Sequence, residues 1–115
     1  MKIIEINDII PPGWESGKFQ GFEHGAGVSF FVVHASTGNG PDKHRHPYEE
    51  TFVILDGTIE FIVDGETHMI EGGKIAIVPA NTWHEFKNRS RTAALTVNIH
   101  PAPKIIQEDW VDYIK

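Results

Sequence analysis

The chain contains no cysteine among its 115 residues. This absence excludes disulfides, thiolate metal ligands and thiol nucleophiles, so any metal site or catalytic group must be built from other side chains. A chain without cysteine fits a compartment in which thiols are kept reduced. We therefore expect a cytoplasmic protein.

Long apolar runs and excess positive charge are also missing. No apolar stretch approaches the ~18 residues needed to span a bilayer, so we expect no membrane association. The first residues, Met1 to Ile6, carry an early acid and no apolar core, which is unlike a signal peptide. Ten Lys and Arg face sixteen Asp and Glu, for a net charge of -6. Because nucleic-acid binding requires a basic face, we expect no nucleic-acid partner. The small basic cluster at 87–91 is interpreted as a solvated turn.

The composition is that of a folded globular chain. Apolar residues make up 40% and charged residues 23%, which argues against disorder. The length predicts one domain, residues 1–115, with one core.

Short β-prone runs separated by turn signals follow one another along the chain. The Asp56-Gly57 and Asp64-Gly65 pairs are hairpin signals, because glycine supplies the positive φ that such turns need. Convincing helices are absent, and the tail 105–114 fits either a short helix or an added strand. This spacing predicts an all-β sandwich or barrel. The expected strands are 2–6, 18–22, 28–34, 43–46, 50–55, 59–63, 66–70, 74–78, 84–86 and 93–100.

Two of the seven histidines and a carboxylate lie within a few residues of one another. Side chains on a strand alternate between faces, so His44 and His46 share a face and Arg45 points the other way. Glu50 follows the Pro47-Tyr48 reversal and could return to the same point. Glu49 is the competing carboxylate, but regular pairing across the reversal would turn it outward. Two histidines spaced in this way also occur on solvated strand faces, so the pair needs a further partner.

That partner is His84, which follows a strand and the Pro79 turn and can lie in the same barrel mouth. With it, the sequence resembles the cupin superfamily through two motifs of fixed spacing. The first motif matches at Gly38, His44, His46, Glu50 and Gly57. The second matches at Gly73, Pro79, His84 and Asn88. It departs from the family only at Asn81, where glycine is usual, and asparagine also tolerates positive φ.

The resemblance implies a double-stranded β-helix, a jelly-roll-like cupin barrel, with its motifs at 38–57 and 73–88. It also implies that one metal ion is held by His44, His46, Glu50 and His84. Three imidazoles and a carboxylate suit one divalent transition metal ion, namely Fe, Mn, Ni, Co, Cu or Zn. The remaining motif residues would shape turns. These are Gly38, Gly57, Gly73, Pro79 and Asn88.

Several further side chains are candidates for a substrate pocket. Phe52 and Phe86 share the ligands' faces by strand parity, and core packing is the alternative for both. Tyr48 lies beside the ligands in a turn, while Asn98 and His100 offer polar contacts from the last strand. The other three histidines are expected to be exposed or hydrogen-bonded rather than ligands. They are His24, His34 and His68.

The function that this pattern favours is a metal-dependent enzyme acting on a small oxygenated molecule. Dioxygenase chemistry is the family analogy that we favour, and isomerase or decarboxylase chemistry uses the same ligand set. Glu50 is the expected catalytic residue, as a general base. The alternative is a non-catalytic module that binds or senses a small molecule or metal. A third hypothesis is a structural zinc site closed by four ligands. An open barrel edge and the Trp110-bearing tail favour a homodimer.

Overall fold

The computed structural model describes all 115 residues and is built almost entirely of antiparallel strands. No helix in it is both long enough and apolar enough to cross a membrane. The one α-helix, α1, covers Trp110–Tyr113. The ten strands are β1 (Gly17–Gln20), β2 (Ser29–Ala35), β3 (His44–Arg45), β4 (Glu50–Asp56), β5 (Thr58–Val63), β6 (Glu66–Glu71), β7 (Lys74–Val78), β8 (His84–Asn88), β9 (Ala94–His100) and β10 (Glu108–Asp109).

The strands form two five-stranded sheets. Sheet A has the order β1-β2-β9-β4-β7, and sheet B has the order β10-β3-β8-β5-β6. The chain leaves sheet B after β3, enters sheet A at β4, and returns to sheet B at β5. This alternation between sheets is the double-stranded β-helix, so the predicted all-β fold is confirmed.

The inward faces of the strands form the core. In β4, β8 and β9 buried and partly exposed residues alternate strictly over most of each strand, as the period of two requires. Three phenylalanines meet at the centre, with Phe52 5.0 Å from Phe61 and 5.4 Å from Phe86 between ring centroids. Toward one end of the barrel the inward positions are polar. On β8 the inward residue before Phe86 is His84, and on β9 the last two inward residues are Asn98 and His100. The apolar core therefore closes one end, and the polar residues gather at the other.

The outward face of sheet A is also apolar. Register pairs place Val32, Val97, Val53 and Ile75 side by side across β2, β9, β4 and β7. Ile75, on the edge strand β7, is open to solvent, with 67% of its surface exposed. An adjacent row continues the apolar surface through Phe30, Ile99, Thr51 and Ile77.

Four motif residues, Gly38, Gly57, Gly73 and Asn81, have the positive φ that turns require. Asn81 has φ 58° and Gly57 has φ 94°, both left-handed. A Cβ on Gly57 would also lie 2.7 Å from the Cβ of Ala94, so a side chain there is excluded on two grounds. At position 81 asparagine takes the place of the family's usual glycine, and asparagine is one of the few other residues that tolerate left-handed backbone angles.

Asn88 has a structural function that the turn signal did not reveal. Its side chain is fully buried, and its Nδ2 donates to the carbonyls of Ala35 (2.8 Å) and Thr92 (2.9 Å). Its Oδ1 accepts from the Ser90 amide at 2.8 Å. One amide therefore ties β2, β8 and the loop before β9 together.

The N-terminal expectation was wrong. Residues 2–6 form no strand, and a 3-10 helix covers Ile6–Ile9 instead. The Asp8 amide donates to the Glu5 carbonyl at 2.9 Å, so local bonds replace a ladder. The alternation there was weak, and the sheet edge is already occupied by β1, which begins at Gly17. The C-terminal tail contains both predicted alternatives, because β10 is followed directly by α1.

Candidate metal centre

Four side chains converge at the polar end of the barrel. His44, His46, Glu50 and His84 are all buried, and their ligand atoms lie within 4.8 Å of one another. Glu50 Oε1 is 3.1 Å from Nε2 of His46 and 3.1 Å from Nε2 of His84. A separation of about 3 Å is that of neighbouring ligands placed ~2.1 Å from a shared ion.

The outer nitrogen of each of these three imidazoles faces a backbone carbonyl. The contacts are His44 Nδ1 to Asp42 O (2.6 Å), His46 Nδ1 to Ile106 O (2.8 Å) and His84 Nδ1 to Thr82 O (2.8 Å). A carbonyl oxygen can only accept a hydrogen bond, so Nδ1 must carry the proton in all three rings. A neutral imidazole has one N–H, which leaves the Nε2 lone pairs free for a ligand. This is the tautomer that a metal requires.

The inner atoms of this cluster need a cation among them. Lone pairs on Nε2 and on a carboxylate oxygen 3.1 Å apart repel one another unless a proton or a metal ion lies between them. His46 Nε2 is buried without a well-directed hydrogen-bond partner. The donor set of three imidazoles and one carboxylate suits a divalent transition metal. The cluster therefore fits a metal ion by geometry, by tautomer and by chemistry.

Ionisation in the cluster supports the same conclusion. Burial lowers the pKa of His44 to about 4, so this ring is neutral at physiological pH. Burial alone would raise the pKa of Glu50, but contacts with neighbouring imidazoles, that with His100 first, outweigh burial and hold the pKa below its ordinary range. Neutral imidazole and ionised carboxylate are the forms that bind metals.

Glu50 reaches the cluster from the opposite sheet. It begins β4 in sheet A and is 3% exposed, whereas His44 and His84 are paired in β3 and β8 of sheet B. The sequence interpretation had Glu50 returning from a neighbouring strand, but the chain changes sheets at Pro47-Tyr48. Glu49 is exposed and lies outside the cluster, as expected from parity.

A fourth imidazole touches the other oxygen of the carboxylate. His100 Nε2 lies 3.1 Å from Glu50 Oε2, and the ring is 1% exposed. This contact lies off the ring N–H axis, so Nε2 has no well-directed hydrogen-bond partner. His100 is outside the group of four mutually close ligand atoms.

Tyr48 assigns the opposite tautomer to His100. The Tyr48 hydroxyl oxygen accepts from the Ile106 amide at 3.1 Å and lies 2.6 Å from His100 Nδ1. A proton on His100 Nε2 is what the Glu50 carboxylate oxygen 3.1 Å away requires, so Nδ1 accepts and the Tyr48 hydroxyl donates to it. His100 therefore carries its own proton on Nε2, toward the interior. It is a hydrogen-bond donor there, unlike the three rings that face carbonyls.

The cluster lies in the wall of a cavity of about 740 Å³. Apolar and aromatic walls come from Phe31, Val33 and Phe86, and the loop at Trp14 forms part of the rim. The polar lining includes Asn98 and His100 together with three of the four cluster residues, His44, His46 and Glu50. A cavity of this size accommodates an organic molecule beside the cluster.

The pocket residues expected from the sequence divide into two groups. Phe86, Asn98 and His100 line the cavity. Phe52 is fully buried in the aromatic core, and Tyr48 lies behind His100 and outside the lining.

Of the remaining histidines, His34 lies at the cavity rim and is exposed, while His68 is exposed on β6. His24 stacks on Phe19 at 4.8 Å, remote from the cluster.

Two contributions to the site were missed by sequence reasoning. Phe31 shares the inward face of β2 with Ser29, and strand parity would have placed it. The carbonyl of Ile106, which fixes the tautomer of His46 from 60 positions along the chain, carries no side-chain signal at all.

The chain belongs to the cupin family. The family model described as Cupin domain matches residues 29–100, which include both motifs and the whole four-residue cluster. The resemblance stated from the motifs is therefore confirmed.

Curated relatives share a part of their length with this chain. Quercetin 2,3-dioxygenase of Bacillus subtilis (strain 168) is 32% identical over 72 residues, covering 60% of this chain and 21% of that protein. A protein named polyketide synthase CurC, from Streptomyces cyaneus, is 33% identical over 70 residues, covering 58% of this chain and 46% of that protein. The chain thus spans less than half the length of either relative.

Solved structures of the same fold are more divergent in sequence. Oxalate decarboxylase of Lactobacillus farciminis, in a formate complex, superposes with a TM-score of 0.83 at 17% identity, covering 96% of this chain and 36% of that one. A conserved protein with a double-stranded β-helix domain from Klebsiella pneumoniae superposes with a TM-score of 0.73 at 18% identity, covering 94% and 96%. At such identities these structures establish the fold alone.

Proposed function

We propose that this cupin is a metal-dependent enzyme that acts on a small oxygenated organic molecule, with dioxygenase chemistry favoured over isomerase or decarboxylase chemistry. The observation that carries the proposal is the position of the cluster. Three Nε2 lone pairs and one carboxylate oxygen converge in the wall of a cavity large enough for a substrate. A structural site has no need of such a cavity. The similarity to quercetin 2,3-dioxygenase supports the choice of chemistry.

Each residue has a defined task in this proposal. His44, His46, Glu50 and His84 bind one divalent transition-metal ion, which supplies Lewis acidity toward a substrate oxygen. Glu50 is also placed to accept a proton, because its carboxylate partly faces the cavity. Phe31 and Phe86 exclude water from one side of the substrate.

Oxygen consumption tests the proposed function. Protein loaded with Fe²⁺ or with Mn²⁺ is expected to take up O₂ with at least one member of a panel of enediols, diketones, catechols and flavonols. The metal-free protein is the control and is expected to show no uptake. Tight binding of a panel member without turnover, whichever metal is loaded, would instead support the non-catalytic binding module.

We further propose that the chain forms a homodimer through the outward face of sheet A. The rows that include Val53, Val97 and Ile75 present an uncharged, solvent-open surface, and a second copy offers the same apolar face. In the tail suggested from the sequence, Trp110 packs against Trp83 of its own chain with 5.1 Å between ring centroids, while Val111 and Ile114 stay exposed.

Sedimentation at micromolar concentration tests the homodimer. Wild-type chain is expected to sediment as a dimer, and Ile75→Glu as a monomer, because a charge buried within an apolar interface is left unpaired. The matched control is Met69→Glu on the exposed strand β6 of the other sheet, which is expected to leave the dimer intact. A monomeric wild type would refute the proposal.

A further inference from the structure

The charge of the cavity lining restricts the substrate. Its lining contains no Lys or Arg, while Glu15 and Glu50 both contribute carboxylates to it. A small dianion is normally held by a bidentate Arg or by Lys, since these side chains supply both charge and donors. No such side chain reaches this space.

The cations nearest to the metal cluster are all engaged outside the barrel. Arg45, between two ligands, donates to Glu108 at 2.6 Å and stacks on Trp83 at 4.3 Å from the ring centroid. Lys43 lies 4.0 Å from the ring centroid of Trp110. Both side chains therefore lie on the outer surface of sheet B, where they contact Glu108 or aromatic rings. Neither places its positive charge in the interior of the barrel.

Lys87 lies beside the cavity rim, and its amino group is also occupied. Its Nζ donates to the Gly40 carbonyl at 2.7 Å and lies 3.3 Å from a carboxylate oxygen of Asp42. Gly40 lines the cavity with its backbone, whereas Lys87 does not line it.

The cavity does offer two uncharged donors. Tyr48 fixes the proton of His100 on Nε2, which is buried. The Glu50 carboxylate oxygen 3.1 Å away lies off the N–H axis, so this donor is only partly satisfied within the protein. Asn98 is 3% exposed, and its Oδ1 already accepts from Thr96 Oγ1 at 2.8 Å. Its Nδ2 forms no hydrogen bond within the protein, so this group is free to donate. His100 Nε2 and Asn98 Nδ2 therefore both favour a ligand with acceptor oxygens, which would pair with them in place of water.

From these observations we infer that the cavity binds an uncharged molecule with an apolar or aromatic body, whose carbonyl or hydroxyl oxygens accept hydrogen bonds from His100 and Asn98, and that it discriminates against small dicarboxylates. The inference rests on the proposed function, since it concerns the substrate of the same site. Phe31 and Phe86 supply apolar contact for the body of such a molecule, and Trp14 covers it from the rim.

Calorimetric titration with two probes tests the inference. The probes are 3-hydroxyflavone, which is flat and neutral with adjacent oxygens, and oxalate. They are added to protein loaded with Zn²⁺, which is redox-inert and permits no oxygenation, and to metal-free protein. We expect a Kd for 3-hydroxyflavone at least ~100-fold lower than that for oxalate in both forms. Equal or tighter binding of oxalate in the zinc form would overturn the inference.

The same titration separates the two proposals. If the protein takes up no metal, the proposed function fails, while the preference for the neutral probe is still measured on the metal-free chain. If zinc binds and oxalate is preferred, the proposed function survives and the substrate class is wrong.

Variants then assign the contacts. Asn98→Asp replaces a donor by a carboxylate of the same shape and is expected to weaken 3-hydroxyflavone binding about ten-fold, as expected for the loss of ~1.4 kcal/mol. Asn7→Asp, on the exposed 3-10 helix, adds the same charge and is expected to have no effect. Equal affinities of Asn98→Asp and wild type would contradict the assigned contact.

Trp14 provides a variant that does not disturb the core. Its side chain is 70% exposed, so Trp14→Ala is expected to fold normally and to weaken binding of 3-hydroxyflavone about three-fold. Trp14→Phe is expected to restore the affinity, because the aromatic surface is retained. Unchanged affinity in Trp14→Ala would show that the rim does not cover the ligand.

Discussion

His84→Ala is expected to reduce the bound metal from one ion per chain to nearly none, with an affinity at least ~100-fold below that of the wild type. The substitution removes a ligand whose Nε2 lies 3.1 Å from Glu50 Oε1 and whose tautomer is set by the Thr82 carbonyl. Removing an outer-shell partner of a ligand typically costs 10- to 100-fold in affinity, and removing the ligand itself should cost more. Elemental analysis of purified protein, followed by calorimetric titration with Zn²⁺ or Mn²⁺, measures both quantities.

The control for His84→Ala is His68→Ala. His68 is exposed on β6 and outside the cluster, so its removal is expected to leave one ion per chain. Circular dichroism checks that both variants are folded. Full metal occupancy in a folded His84→Ala protein would remove His84 from the ligand set and would contradict the four-ligand centre.

Glu50→Gln is expected to lower turnover at saturating metal by about 10²–10⁴-fold, the range in which a general base contributes. Glutamine has the same shape but cannot accept the proton, and its amide is a weaker ligand than a carboxylate. Metal affinity is therefore expected to fall as well, so turnover must be compared at measured occupancy. The rate of O₂ uptake per bound metal ion, with the substrate found in the panel, is the relevant quantity.

Glu49→Gln is the matched control for this experiment. The adjacent carboxylate is exposed and turned away from the cluster, so its loss is expected to change neither occupancy nor turnover. If Glu50→Gln retained its metal and full turnover, Glu50 would be neither base nor essential ligand, and the proton acceptor would have to lie elsewhere in the cavity.

Local chemistry explains why so much of the fold was predictable. Runs such as 50–55 and 93–100 are rich in β-branched residues, and each is followed closely by glycine or proline. Their boundaries agree with β4 and β9 to within a residue or so. The same reasoning failed at 2–6, where the pattern was weak and no partner strand was available. The tail 105–114 could not be assigned because β10 and α1 each depend on packing against the barrel.

The composition of the cluster was predictable, but its assembly was not. Strand parity places His44 and His46 on one face and turns Arg45 and Glu49 outward, because the side-chain period of a strand is two. The position of Glu50 in the opposing sheet depends on where the chain crosses between sheets. Parity alone gives no information about such a crossing.

By itself the sequence determined the family, the strands and the residues available to bind a metal, because these depend on residue type and on spacing along the chain. The tertiary structure decided how those residues are used. Carbonyls of Asp42, Ile106 and Thr82 direct the Nε2 atoms of three imidazoles into the cluster, while Tyr48 makes His100 a donor. Tautomers and cavity charge depend on groups brought together from distant parts of the chain. For that reason the substrate preference inferred here could be reached only from the folded barrel.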